Sequence, residues 1–93
     1  MIPKAFQILG HTIKVNITDN IPEGSVGEWT GNKQQISIRP VSKDFPKSLQ
    51  EQTFWHEVMH CIFSMLSYDE YDKDEQLVDR IAQCLHQIDR TKK

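Results

Sequence analysis

The segment Thr53-Phe54-Trp55-His56-Glu57-Val58-Met59-His60-Cys61-Ile62 carries no charge except that of Glu57, and no proline or glycine. Such a stretch reads as a buried helix. On a helix of 3.6 residues per turn, His56 and His60 share one face one turn apart, where two imidazoles can grip a single metal ion. Glu57 lies about 100° round the axis from His56. It would stand near that ion but point differently, which suits a general base better than a ligand. Measured from His56, the apolar side chains Phe54, Trp55, Val58, Met59, Ile62, Phe63, Met65 and Leu66 fall between about 160° and 340°. The two histidines and Glu57 hold the remaining sector, so the helix is anchored by its other faces. Ser48-Leu49-Gln50-Glu51 fits a capping box, which places the helix from about Leu49 to Leu66, ending near Ser67-Tyr68.

The first half of the chain has a different period. Phe6 and Ile8, then Ile13, Val15 and Ile17, alternate with polar residues as half-buried strands do, with Gly10-His11 between them as a turn. Residues 19–25, Asp-Asn-Ile-Pro-Glu-Gly-Ser, have loop chemistry. A second hairpin is expected from Val26–Thr30 through Gly31-Asn32 to Lys33–Arg39, with Ile36 and Ile38 facing one side and Pro40 stopping it. Beyond the histidine helix, Asp69–Asp74 is an acidic connector. Asp72-Lys73-Asp74-Glu75 offers a second capping box, and Leu77, Val78, Ile81, Cys84, Leu85 and Ile88 form an apolar stripe on a further helix. Arg90-Thr91-Lys92-Lys93 is a basic tail that suits the helix dipole. The expected fold is α+β, a small twisted and mainly antiparallel sheet packed on the histidine helix, with a C-terminal helix, in one domain spanning residues 1–93.

Ninety-three residues allow a single modest core. The formal net charge of −2 gives no electrostatic reason to expect a nucleic-acid or acidic-membrane partner. Neither a signal-peptide pattern at Met1–Phe6 nor an apolar run of membrane-spanning length is present, so a cytoplasmic location is the expectation. Cys61 and Cys84 lie apart in the two helices and read as buried free thiols.

His56-Glu57-Val58-Met59-His60 is similar to the H-E-x-x-H signature of zincin metallopeptidases, including the uncharged flanks of its longer form. A catalytic zinc usually takes three protein ligands, so a third His, Glu or Asp should come from elsewhere in the fold. Here the chain resembles the small ImmA/IrrE-like and phage-encoded metallopeptidases. Those proteins carry a ligand glutamate on the next helix, in an E-x-x-A-N-x-F-A style pattern. Glu75-Gln76-Leu77-Val78-Asp79-Arg80-Ile81-Ala82 matches it at Glu75, Val78, Ile81 and Ala82, with Asp79 in place of asparagine. The resemblance therefore implies Glu75 as the third ligand. Ala82 is about 20° from Glu75 in azimuth, where a small side chain lets two helices approach, and Asp79, one turn further along, remains the rival ligand.

The resemblance implies a zinc-dependent peptidase: one Zn²⁺ per chain held by His56, His60 and Glu75, Glu57 as general base, and a protein or peptide as substrate. Tyr68 and Tyr71 are candidates for stabilising the oxyanion, with packing as their alternative role. His86 is expected at a surface or boundary, and His11 in solvent. In the family, a strand near the motif helix offers its edge to extended substrate, and Gln34–Arg39 is the segment expected to do so. The other class of reading is a zinc-binding regulatory or interaction module without peptidase activity. Zinc-dependent deaminase or nuclease chemistry lacks both its H-x-E…P-C-x-x-C pattern and a basic face.

Overall fold

The computed structural model describes residues 2–93. Four strands come first: β1 (Ala5–Ile8), β2 (His11–Ile17), β3 (Gly27–Thr30) and β4 (Gln35–Ile38). Three helices follow, α1 (Lys47–Met65), the short α2 (Asp69–Asp72) and α3 (Glu75–Thr91). The α+β order read from the sequence holds. The sheet runs β1-β2-β4-β3 and is mixed, because β2 and β4 pair in parallel while the two outer pairs are antiparallel.

Alternation in the strands decides which side of the sheet meets α1. Ile13, Val15, Ile36 and Ile38 form one core with Phe45, Phe54, Val58 and Cys61, so the sheet's apolar face lies on the apolar face of α1. A second cluster, Met59, Val78 and Ala82, joins α1 to α3. Ala82 is fully buried there, as close helix approach requires.

Two turns depart from expectation in detail. The second hairpin closes through a 3-10 turn at Gly31–Lys33, with Gln34 left-handed, rather than through a two-residue loop. In the first, Leu9-Gly10 makes the turn and His11 already belongs to β2. Its side chain is exposed, with Nδ1 3.0 Å from Gln34 Nε2.

Neither expected capping box forms. Helix α1 starts at Lys47 with Pro46 as its cap, because the fixed proline geometry ends the loop two residues before Ser48 could serve. Helix α3 is capped by Asp74, whose side chain accepts from the Leu77 amide at 3.1 Å, since Asp72 is already the last residue of α2.

One side chain makes four hydrogen bonds to the crossing from β2 to β3. Arg39 donates from Nε to the Ser25 carbonyl at 2.7 Å, and from its terminal nitrogens to the carbonyls of Asp19, Ile21 and Pro22. That guanidinium fixes a loop with no regular structure of its own. Among the described residues, no helix is long and apolar enough to cross a membrane.

Candidate metal centre

Helix α1 puts His56 and His60 side by side, their ring centroids 4.9 Å apart. Helix α3 packs against α1 through Val78 and Ala82 and so brings its first residue, Glu75, over both rings. His56 Nε2 is 3.1 Å from Glu75 Oε2, and His60 Nε2 is 2.9 Å from Glu75 Oε1. One donor atom from each of the three residues lies within 4.8 Å of the others. In a tetrahedral zinc site with bonds of about 2.0–2.1 Å, neighbouring donors stand roughly 3.3 Å apart. The three side chains thus fit a zinc ion in both donor type and spacing.

The outer nitrogens are occupied differently. His60 Nδ1 lies 2.8 Å from Asp72 Oδ1, and His56 Nδ1 lies 3.5 Å from Asp79 Oδ1. Asp79 therefore faces the side of the His56 ring away from Glu75, and its other oxygen accepts from Gln83 Nε2 at 2.8 Å. It stands as a neighbour of the cluster rather than as a member of it. Burial works against a protonated His60, but the Asp72 hydrogen bond and the charges of Glu75 and Glu57 outweigh it and raise its pKa.

Glu57 is buried, only 7 % exposed, although sequence periodicity put it on the less apolar side of α1. The cause is β3. A Cβ added at Gly27 would lie 2.7 Å from Thr53 Cγ2 and 3.2 Å from both Cγ and Oε2 of Glu57. Glycine lets the strand backbone lie directly on the carboxylate. Burial pushes the Glu57 pKa up; the two histidines oppose that, and Glu75 and Glu28 add to it. Beside Glu57 and His56 opens a cavity of about 340 Å³, walled by Gly24–Gly27 on one side and by Leu49, Gln52, Thr53 and Asp79 on the other. Gly27→Ala should destabilise the domain by about 1–3 kcal/mol, the usual cost of overpacking, because Thr53 Cγ2 belongs to a buried side chain with little room to move. Denaturant unfolding checks this, and an unchanged midpoint would contradict so tight a contact.

The expected substrate edge is corrected. Segment Gln34–Arg39 contains β4, which is central and paired on both sides, with β2 and with β3. The open edge beside α1 belongs to β3. Its neighbour bond, Arg39 N–H to the Val26 carbonyl at 3.0 Å, sets the alternation of the ladder. Glu28 and Thr30 then bond inward to β4, and the N–H and C=O of Gly27 and Trp29 point to the outer edge.

Other expectations divide. Tyr68 and Tyr71 pack on each other at 5.8 Å, and Tyr71 packs on Phe63 at 5.9 Å, while neither lines the cavity beside Glu57. The packing role is the one these contacts support. Cys61 is buried, and burial pushes its thiol up to about 11, but Cys84 is exposed because the inward face of α3 runs through Val78, Ala82 and His86. His86, expected at a surface or boundary, is buried for the same reason, its Nε2 3.7 Å from Glu51 Oε1.

The sequence reading gives Gly27 and Arg39 no role at the site, and gives Asp72 only that of a helix cap. Gly27 alone carried a usable signal, an isolated glycine in a strand pattern. No protein-family model, curated protein or solved structure matches this chain.

Proposed function

We propose that this chain is a zinc-dependent peptidase with a minimal zincin-like fold, acting on peptide or protein substrates. The observation that carries the reading is the convergence of His56 Nε2, His60 Nε2 and the Glu75 carboxylate within 4.8 Å, beside a buried glutamate that takes no part in the cluster. A structural zinc site has no use for such a glutamate, whereas hydrolysis needs a proton acceptor at that place.

Zinc bound to the three side chains would lower the pKa of a coordinated water and polarise the scissile carbonyl. Glu57 accepts the proton of the attacking water and returns it to the leaving nitrogen. Its burial suits both halves of that task, because a carboxyl with a raised pKa holds a proton more readily at neutral pH. The open edge of β3 supports substrate positioning. An extended peptide adding there would bond to the outward amide and carbonyl groups of Gly27 and Trp29, which brings its backbone past Glu57. The cavity between Gly24–Gly27 and α1 would take a substrate side chain.

Metal titration tests the first requirement. One zinc per chain is expected, with a rise in thermal midpoint on loading. Fractional or absent zinc after refolding in excess metal would remove the basis of the reading.

A further inference from the structure

We propose that Asp72 is a positioning residue for His60, holding the ring with Nε2 turned to the metal and thereby tying zinc binding to the short connector between the two long helices. This rests on the zinc reading above and adds to it a residue outside the ligand set.

In a neutral imidazole either nitrogen can carry the proton, and only the bare nitrogen can ligate. An ionised carboxylate can only accept. With Asp72 Oδ1 at 2.8 Å, the proton belongs on His60 Nδ1, which leaves the Nε2 lone pair facing Glu75. The acceptor is itself fixed. Asp72 is the last residue of α2; its amide donates to the Tyr68 carbonyl at 3.0 Å, and the Tyr68 amide donates to the Phe63 carbonyl at 2.8 Å. Tyr71 packs against Phe63 with the two rings tilted by 40°, so the connector is pinned to the end of α1 from two directions. Asp69, Glu70 and Asp74 in the same connector are exposed, whereas the Asp72 side chain is only 31 % exposed. The corresponding contact at His56 is looser, 3.5 Å to Asp79. His60 is therefore the better preorganised of the two rings.

The test is zinc affinity by chelator competition, together with nitrogen–proton NMR of the His60 ring in the zinc-loaded protein. Loss of an outer hydrogen bond of this kind typically weakens metal binding about 10–100-fold, and Asp72→Ala should do so. Asp72→Asn keeps an oxygen acceptor and should retain most of the affinity, with an exchange-protected Nδ1 proton that Asp72→Ala lacks. Glu70→Ala removes the same charge from the same connector and should bind zinc as the parent does. Equal affinity in Asp72→Ala and parent would overturn the proposal. So would equal weakening by Glu70→Ala, which would indicate charge alone, or failure of Asp72→Asn to rescue. If Asp72→Ala does not fold, Asp72→Asn with its Nδ1 resonance and Glu70→Ala decide the matter. A parent that binds no zinc would overturn the peptidase reading as well, whereas a zinc-binding parent indifferent to Asp72 overturns this inference alone.

Discussion

Replacing Glu75 with alanine should strip the chain of most of its zinc affinity, and replacing Asp79 should not. Both oxygens of Glu75 reach imidazole Nε2 atoms, one on each ring, while Asp79 touches only the far nitrogen of His56. Asp79→Ala should therefore cost no more than the about 10–100-fold typical of an outer partner, and Glu75→Ala should cost more than that. Stability carries the same information. A zinc concentration 100 times Kd stabilises the folded chain by about 2.7 kcal/mol, and that increment should vanish in Glu75→Ala. Because the Glu75 side chain is 65 % exposed, its ion pairs with the histidines contribute little without metal, so the metal-free variants should melt together. Chelator competition on both variants checks the assignment. Loss of affinity confined to Asp79→Ala would mean that the other carboxylate is the ligand.

Glu57→Gln should leave zinc binding intact and remove hydrolysis. The substitution keeps the shape that fits under Gly27 and takes away only the ability to accept a proton. General acid–base groups contribute about 10²–10⁴-fold in rate, so the loss should be plain wherever the parent is measurable. The folded state should tolerate it, since burial already disfavours the charged carboxylate at this position. Zinc content equal to parent, with the turnover number reduced over that range, is the expected pair of results. Joint loss of zinc and activity would place Glu57 among the ligands.

The candidate metal site is legible at its two histidines because their spacing is local information, while Glu75 comes from the resemblance to the small metallopeptidases. Helical spacing alone puts His56 and His60 on one face, and Ala82 near Glu75 marks where a second helix can come close. The rest depended on distances along the chain that periodicity does not contain. Alternation identified Ile36 and Ile38 as inward-facing, yet it says nothing of whether their strand is central. That followed from the loop of residues 18–26 carrying the chain past β4's place, so that β2 and β4 pair in parallel and β3 is left outside. Gln34–Arg39 therefore lies in a strand paired on both sides and offers no open edge. In α3 the apolar stripe holds at Val78, which is buried, and at Ile81 and Leu85, which pack beside it, but its members Cys84 and Ile88 are exposed. The helix is turned so that Val78, Ala82 and His86 are buried, which is the rotation that sets Glu75 over the histidines. Ile88, 61 % exposed, is left outside by that turn. Glu57 stands in the less apolar sector of the helical wheel, and its burial reflects the close approach of β3 at Gly27, 30 positions earlier, which periodicity does not contain.

The claim that this fold hydrolyses peptide bonds is tested most directly by exposing peptide libraries or whole-cell protein extracts to zinc-loaded parent and zinc-loaded Glu57→Gln, and sequencing the new termini. A narrow peptidase ignores generic substrates, so breadth of substrate matters more than sensitivity. The account predicts a set of cleavages made by the parent and absent with Glu57→Gln. Identical profiles from the two proteins, with both still capturing the same protein partner, would contradict it and leave a zinc-binding interaction module in its place.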